Sequence, residues 1–403
     1  MASSDHIVAG SDLTLANLMQ ILAKSDKGFK LGTDPVKLKA NPTEKLISDG
    51  KGFASKIYSV TLQTESDSYS VIVKVPSDFF MRSSLEDLNN DTKQYNEEQL
   101  EVEHKKNRDM IATIHNREVD FYEFVKKHVD GRIFRLPKYF YGEHMCDEEH
   151  KKGVILMEDL SGRNLKEAKT SGGLTKNQII VIIDTITEIQ ALSLVSQEDA
   201  IELFPICDTL ITSLSKYTTS CADILQQAHL SWFTPEIAAK VKTFAEPENM
   251  KTLLSANPEF GEIGEVITHG DLWEGNMLWE VQKKEKLSLL ALVDWQGCHL
   301  GSYTTDLALV MGVSMDPKER RACEREILEY YIDRMNTQSD HFALPYELTY
   351  SQVQKSYKLS LIYAVLQMVL TVVTNPSDDV PSEGESEGPL SKRLKCLLED
   401  VDL

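Results

Sequence analysis

Asp294 ends an apolar strand-like run, LLALVDW, and this position constrains the fold more than any other feature of the sequence. A carboxylate at the end of a buried strand is costly unless it meets a donor, a cation or a metal ion. The preceding strand-like run contains Asp271, in the tripeptide HGD, and Asn276 five residues later. The charged turn QKKEK separates the two runs. The pattern predicts a β-hairpin with Asp271 and Asn276 on one arm and Asp294 on the other.

These three side chains are the residue types that phosphoryl transfer requires. One carboxylate orients and deprotonates a hydroxyl, while amide and carboxylate oxygens hold Mg²⁺ against the phosphates of a nucleotide. Each residue alone is more often a turn residue or a solvated acid. The combination, with Asp294 closing an apolar strand, favours a catalytic site over these alternatives.

The first part of the chain carries strand signals. IYSVTL and SYSVIVKVP predict an antiparallel hairpin, and KYFYGEHM and KKGVILMEDL predict two more strands. Residues 82–108 are polar with little periodicity and predict a loop, which a helix through residues 111–125 follows. Ser161-Gly162 then interrupts the pattern, and we place the boundary between two lobes at residue 160.

The second part is mainly helical. A hairpin interrupts the helical segments, and residues 376–403 predict a flexible acidic tail in which SKRLKCLLEDVDL forms a short helix. The expected class is α+β, with a small antiparallel-sheet lobe at residues 1–160 and a larger helical lobe at residues 161–375. Helical periodicity covers residues 175–229, 317–335 and 350–374.

Composition excludes several classes of protein. A formal net charge of −20 argues against nonspecific binding to nucleic acid or to an anionic membrane. The six cysteines have no CxxC pair or metal-ligand spacing, so neither disulfides nor zinc are expected. Residues 361–373 fall short of the roughly 20 needed to span a bilayer and predict a buried helix. Without a secretory signal, the chain is expected in the cytoplasm.

Five ordered motifs over residues 45–375 resemble a known family. HGDLWEGNMLW and LVDWQG resemble the catalytic loop and metal-binding motif of the aminoglycoside phosphotransferase and choline kinase group, which has the protein kinase fold. With GKGFASKIYSVTL, REVDFYEF and VILMEDLSG, they are similar to the ecdysteroid kinase-like (CHK kinase-like) family, including its nematode branch. The resemblance implies a two-lobe protein kinase-like fold that binds ATP and Mg²⁺.

The resemblance also implies a role for each matching residue. Asp271 is the implied catalytic base, and Asn276 and Asp294 are the implied Mg²⁺ ligands. His269 would brace the loop, and Asp306 would support it, although a plain helix N-cap explains Asp306 equally well.

In the first lobe, the resemblance implies that Lys74 contacts the α and β phosphates. Glu118 interrupts an apolar helical stripe, so it requires a positive partner, and the resemblance supplies Lys74. The alternative is that both side chains are solvated. The implied nucleotide-binding residues, in a Gly-rich turn, on the lysine strand and in an adenine-binding hinge, are Gly50, Gly52, Ser55, Lys74, Met157, Glu158, Asp159 and Leu160.

Three functions remain open at this point. A kinase would transfer the γ-phosphoryl group of ATP to a hydroxyl of a small molecule, such as a steroid-like alcohol, a glycoside or a xenobiotic-type compound. A catalytically silent protein of the same fold would bind a partner instead. A metal hydrolase would leave Lys74 and Glu118 unexplained. A protein substrate is disfavoured because only eleven residues separate Asp294 from Asp306.

Overall fold

The computed structural model divides the chain into two compact units. One comprises Met1–Lys127 and Leu136–Asn164, and the other comprises His128–Arg135 and Leu165–Leu403. The predicted division, by contrast, has a single boundary at residue 160. The residues that the structure describes are 2–48, 54–79, 81–83, 86, 96–129, 134–146, 148–166, 173–228, 230–257, 263–283, 286–375, 379 and 387–401.

The first unit contains a five-stranded antiparallel sheet. Its strands are β1 (Thr43–Leu46), β2 (Ser55–Gln63), β3 (Ser68–Pro76), β4 (Tyr139–Cys146) and β5 (Lys151–Glu158). Their order is β1-β2-β3-β5-β4. The predicted hairpin is confirmed as β2 and β3, and the two further predicted strands are confirmed as β4 and β5.

The amino-terminal segment supplies the apolar partner for one side of this sheet. Helix α1 (Leu15–Ser25) begins after Thr14, whose hydroxyl accepts from the backbone N–H of Asn17. The buried side chains of α1 recur at helical spacing and join one core cluster with Val71 and Val73 of β3. We did not predict this helix, although its apolar pattern is visible in the sequence.

Helix α2 (Glu97–His128) is longer than predicted. We predicted a loop up to residue 108, but residues 97–108 already belong to the helix. Their side chains are mostly exposed and pair with one another, as Lys106 does with Glu103 at 2.5 Å and Arg108 with Glu101 at 3.1 Å. A solvated helix of this kind has no apolar stripe, so the periodicity could not reveal it.

Helices form most of the second unit, as predicted. The helix predicted from residue 350 to residue 374 is confirmed within these bounds, and the predicted short terminal helix is also confirmed. Two helices between residues 235 and 254 were not predicted. The helices are α3 (Lys176–Val195), α4 (Gln197–Leu203), α5 (Asp208–Gln227), α6 (Pro235–Ala245), α7 (Pro247–Leu254), α8 (Thr305–Ser314), α9 (Pro317–Phe342), α10 (Tyr350–Thr374) and α11 (Pro389–Asp400).

The strands of the second unit form two small sheets. They are β6 (Leu165–Lys166), β7 (Val266–Thr268), β8 (Met277–Val281), β9 (Leu287–Leu292) and β10 (His299–Gly301). The predicted hairpin is confirmed as β8 and β9, to which β6 adds a third strand. We predicted one continuous first arm, but it is divided at the HGD turn, and β7 pairs with β10 instead. The α+β prediction is therefore correct. The HGD turn directly follows the last residue of β7.

Two helices, α3 and α10, are long and apolar enough to cross a membrane by length and composition alone. In the structure, 67% of the apolar window of α3 and 61% of that of α10 are buried inside the protein. Core helices of globular proteins have the same character. The prediction of a buried helix over residues 361–373 is thus confirmed.

His115 of α2 is buried and uncharged in the first unit. Its side chain is 4% exposed, and its Nε2 donates to the carbonyl oxygen of Glu143 at 3.0 Å. Burial lowers the pKa of His115 to about 4, and the charge of Lys74 acts in the same direction. The folded protein therefore resists protonation of a side chain that titrates near pH 6.5 when unfolded.

We expect acid to destabilise the first unit through His115. The unfolded chain binds the proton first, so stability is lost as the pH falls from about 6.5 to about 4, by roughly 3 kcal/mol at completion. Urea unfolding of the wild type and of His115→Gln across this range measures the effect. The wild type should lose stability relative to the variant as the pH falls, and carboxylates common to both proteins cancel in the difference. A difference that is independent of pH would contradict the prediction.

Candidate active site

Lys74 lies on the central strand of the first unit. β3 pairs with β2 on one side and with β5 on the other, where Lys74 lies opposite Ile57 and Ile155. Its Nζ donates to Oε2 of Glu118 on α2 at 2.5 Å, and the two side chains are 5% and 1% exposed. The predicted ion pair is confirmed, and the solvated alternative is wrong for both residues.

The adenine-binding hinge was predicted at the end of β5. The backbone N–H of Glu158 donates to the carbonyl of Lys138 at 2.8 Å, and the carbonyl of Leu160 accepts from Arg163 at 2.9 Å. Met157 is paired within the sheet. The N–H of Glu158 and the carbonyl of Leu160 are therefore already engaged inside the unit.

The side chain of Asp159 has a local role. Its carboxylate accepts from the hydroxyl of Ser59 at 2.6 Å and from the backbone N–H of Ser161 at 2.8 Å. It therefore joins β2 to the segment that follows β5. Ser55 begins β2 opposite Pro76. Gly50 and Gly52 lie outside the described residues, and their predicted role stays a prediction.

The HGD turn of the second unit follows β7 and depends on glycine. Gly270 has a φ of +77°, and a Cβ there would lie 2.3 Å from the carbonyl oxygen of Gly297. A side chain would be strained by the backbone conformation and would overlap a neighbouring main chain. The absence of a side chain thus lets this turn contact the turn after Asp294.

His269 connects the turn to the strand that leads to Asp294. Its Nε2 donates to the carbonyl of Val293 at 3.0 Å, and its Nδ1 accepts from the backbone N–H of Asp271 at 3.4 Å. These two bonds require the tautomer with the proton on Nε2. The ring also packs against Trp295, with 4.5 Å between centroids. His269 therefore braces the turn, as predicted.

Asp306 holds the same turn from α8. Its Oδ2 accepts from the N–H of His269 at 2.7 Å, and its Oδ1 accepts from the N–H of Gly270 at 3.1 Å. Burial raises the pKa of Asp306 to about 6, and the two N–H donors oppose that rise. The N-cap residue of α8 is Thr304, so the helix N-cap interpretation of Asp306 is wrong and the supporting role is the one observed.

Asp271 and Asn276 are joined across the loop. Nδ2 of Asn276 donates to the carbonyl oxygen of Asp271 at 2.8 Å and to its Oδ2 at 3.2 Å. Burial, followed by the negative charge of Asp294, raises the pKa of Asp271 to about 7, although the bond from Asn276 opposes the rise. A carboxyl group with a pKa near neutrality is suited to accept a proton.

Asp294 adopts a left-handed backbone conformation, with φ 67° and ψ 58°. The residue before it is fixed on both sides, because the N–H of Val293 donates to the carbonyl of Asn276 at 3.0 Å and its carbonyl accepts from His269. A left-handed non-glycine residue is a strained feature that often marks a functional site. Here it places the carboxylate close enough to Asp271 to repel it electrostatically.

This pair of carboxylates fits a magnesium ion. The ion prefers oxygen ligands and is often held by one or two carboxylates together with substrate phosphates. Asp294 supplies a carboxylate, and Asn276 directs its amide nitrogen at Asp271, which leaves its amide oxygen for a metal. Within the described ranges, no group of three or more His, Cys, Asp or Glu residues is placed to hold a metal ion.

Two residues near the loop were not predicted. The hydroxyl of Tyr363, on α10, donates to the carbonyl of Gly270 at 3.4 Å, and the hydroxyl of Ser314 accepts from the N–H of Glu274 at 3.1 Å. Tyr363 had a visible signal, because a phenol within an apolar helix needs a partner for its hydroxyl. Ser314 had none.

The chain belongs to the DUF1679 family. The model of the DUF1679 family, described as "Uncharacterized oxidoreductase dhs-27", matches residues 25–402. A Caenorhabditis elegans protein, "Uncharacterized oxidoreductase dhs-27", is 25% identical over 342 residues, which is 81% of this chain. The match covers only 40% of that relative.

Two solved structures are similar over most of the chain. A spectinomycin phosphotransferase in complex with ADP and spectinomycin has a TM-score of 0.43 and 12% identity, and covers 94% of this chain and 91% of its own. A glucosamine kinase has a TM-score of 0.40 and 11% identity, and covers 92% of this chain and 82% of its own.

Removing the charge of Glu118 should strongly destabilise the first unit. Glu118→Gln leaves the buried ammonium of Lys74 without its carboxylate, and breaking such a pair costs about 3–5 kcal/mol. Denaturant unfolding measures the loss. The double variant Lys74→Met with Glu118→Leu is the control, because it removes both charges and should recover most of the stability. A double variant as unstable as Glu118→Gln would show that charge burial is not the cause.

Adding a methyl group at Gly270 should destabilise the second unit. Gly270→Ala has to place a side chain at a positive φ and against the carbonyl of Gly297, at a cost of about 1–3 kcal/mol for the backbone strain alone. Gly162→Ala, in the first unit, is the control for adding a methyl group to a turn, since a Cβ at that position meets nothing within 4 Å. Equal unfolding free energies for the two variants would argue against the close contact of the two turns.

Proposed function

We propose that this chain is an ATP-dependent phosphotransferase that transfers the γ-phosphoryl group to a hydroxyl of a small molecule. One observation carries the proposal. Asp271 has a pKa raised to about 7, is held by Asn276 and is repelled by the carboxylate of Asp294. A proton acceptor poised near neutrality beside oxygen ligands for a cation matches the chemistry of phosphoryl transfer.

Asp271 would accept the proton of the acceptor hydroxyl as the hydroxyl oxygen bonds to the γ-phosphorus of ATP, while the bond from that phosphorus to the leaving ADP breaks. Asn276 keeps the carboxylate oriented, because its amide is bonded to both the backbone and the side chain of Asp271. His269 and Asp306 fix the backbone of the loop, so the base moves little. Such positioning is the main contribution a protein can make to this reaction.

Asn276 and Asp294 would hold Mg²⁺. When bound, the ion neutralises negative charge on the nucleotide phosphates and on the group being transferred. The repulsion between Asp271 and Asp294 makes a cation favourable at this position, since it lowers the cost of keeping both carboxylates charged.

In the first unit, Lys74 would orient the α and β phosphates. Glu118 holds its ammonium in a fixed direction from a buried helix position. The proposed adenine contacts are backbone groups of Asp159 and Leu160, and Gly50 and Gly52 would approach the phosphates through their N–H groups.

The acceptor and the finer family are also proposals. The motifs resemble the ecdysteroid kinase-like family, which supports a steroid-like alcohol, a glycoside or a xenobiotic-type compound as acceptor. The net charge of −20 supports a protein without nucleic-acid or membrane partners, and we propose a cytoplasmic location.

The name of the longer relative points to a different reaction, which two observations disfavour for this chain. Dinucleotide-binding oxidoreductases of the doubly wound type use parallel strands and a G-x-G-x-x-G/A turn. The sheets in the described part of the chain are antiparallel. The one G-x-G in the sequence, Gly50-Lys51-Gly52, is followed by Ser55 at the last position of the motif.

Nucleotide binding should depend on Mg²⁺ and on Asp294. At a hundredfold excess of MgATP over its dissociation constant, the native state gains about 2.7 kcal/mol, which raises the melting temperature. We expect this shift to require Mg²⁺ and to be lost in Asp294→Ala. No shift in the wild type under any condition would favour the catalytically silent alternative.

Phosphoryl transfer should require Asp271. Asp271→Asn keeps the size of the side chain and removes the base, so transfer should fall by about 10²–10⁴-fold while MgATP binding persists. The assay follows labelled γ-phosphate into a panel of steroid alcohols and glycosides. Asp333→Asn is the control, because Asp333 is an exposed acid on α9 of the same unit. An Asp271→Asn protein with normal turnover would exclude the mechanism.

A further inference from the structure

Helix α8 holds the catalytic loop at both ends. Asp306, in its first turn, binds the N–H groups of His269 and Gly270, and Ser314, its last residue, accepts from the N–H of Glu274. All ten residues of α8 are buried. The position of this helix therefore sets the positions of both ends of the loop formed by residues 269–276.

Arg393 of α11 fixes the carboxyl end of α8. Its Nη1 donates to the carbonyl oxygen of Val313 at 2.7 Å, and the residue is 7% exposed. The last carbonyls of a helix have no partners within it, and a cationic donor is a strong partner for one of them. Gly173 makes room for this contact, because a Cβ there would lie 2.6 Å from Nη2 of Arg393 and 2.3 Å from the carbonyl of Ser314.

The surroundings of Arg393 show why a cation lies there. Burial lowers the pKa of the guanidinium, and the carboxylates of Glu274 and Asp316 oppose that effect. Glu274 belongs to the catalytic loop. Burying an arginine is costly, whereas an apolar side chain at the same place in a helix would cost nothing of this kind. The positive charge of Arg393 thus acts on the carboxyl end of α8 and on Glu274 of the loop.

The rest of α11 is anchored independently of this contact. Arg321 of α9 donates from Nε to Oδ1 of Asp400 at 3.0 Å and from Nη2 to Oε2 of Glu399 at 2.8 Å. The buried Arg320 also bonds Asp400. Because these ion pairs and the apolar face of α11 hold the helix in place, Arg393 can be changed without removing its anchorage.

We propose that Arg393 is a positioning residue for the catalytic loop, and that the carboxyl-terminal helix α11 is therefore part of the phosphotransfer machinery. Arg393 acts through Val313 and Ser314 on Glu274, two residues before the metal ligand Asn276. The predicted effect on turnover rests on the proposed function. The predicted effect on the order of loop 269–276 does not depend on it.

The experiment uses the full chain with three variants. Arg393→Met removes the charge and both arms of the fork, and Arg393→Lys keeps the charge with one donor group. Lys395→Met is the control, because it removes a positive charge from the same helix. Within the described residues, the side chain of Lys395 pairs with Glu387 and not with α8 or the loop. The measurements are kcat and KM for MgATP turnover, well below the melting temperature of every variant, and hydrogen exchange of the loop amides without nucleotide.

For Arg393→Met we expect kcat to fall by about 10²-fold, because small misplacements of reacting groups have effects of that size, with little change in KM for MgATP. Arg393→Lys should recover part of the loss, and Lys395→Met should match the wild type. The amides of His269, Gly270 and Glu274 should exchange about tenfold faster in Arg393→Met alone. Exchange in the first unit should not change.

The measurements distinguish failure of the Arg393 inference from failure of the proposed function. A folded Arg393→Met with wild-type kcat and wild-type loop exchange overturns the inference, and so does a lower melting temperature with unchanged kcat per folded molecule. If the wild type itself neither binds nor turns over MgATP, the proposed function fails. In that case the exchange data alone decide whether Arg393 positions the loop.

Discussion

The second unit is organised around three aspartates close enough to interact, Asp271, Asp294 and Asp306. Burial disfavours the charge of Asp271 and Asp306, and the charges of the other two oppose ionisation of Asp271. Hydrogen bonds offset this cost for Asp271 and Asp306, and the backbone conformation positions Asp294. Asp306 receives two backbone N–H groups, Asp271 receives an amide, and Asp294 is held by a strained backbone. In the proposed mechanism, a bound cation would relieve the remaining repulsion.

The first unit, in contrast, buries two opposite charges as a single ion pair. Lys74 and Glu118 are both buried, and each compensates the charge of the other. The pair adds little net stability, because desolvation offsets most of the attraction between the charges. The pair instead fixes the direction of the Lys74 ammonium, because that group is bonded to a side chain on a helix. That property suits the orientation of phosphates, and a well-packed apolar pair would be at least as stable without it.

The sequence predicted those features that depend on residues close together in the chain or on repeated polarity. The hairpin of β8 and β9 and the helix α10 followed from alternation and periodicity. An acid within an apolar stripe indicated that Glu118 needs a positive partner, and the family resemblance identified that partner as Lys74. The sequence did not reveal the amino-terminal half of α2, because a solvated helix lacks an apolar stripe. The pairing of β7 with β10 was also missed, since three-residue strands carry almost no pattern and their register depends on the HGD turn.

The contacts that hold the catalytic loop were the least predictable, for a physical reason. Ser314 and Arg393 lie about forty and about one hundred and twenty residues from Glu274 in sequence, and each acts on a backbone N–H or carbonyl group. A backbone partner has no residue type, so no motif records the bond. Asp306 differs from Ser314 and Arg393, because the family resemblance had already assigned it a supporting role. In the proposed mechanism, the motif HGD with Asn276 and Asp294 names the groups that would meet the substrate. If α8 and α11 set the order of those groups, as we propose, a substitution there would alter turnover while leaving every recognisable motif intact.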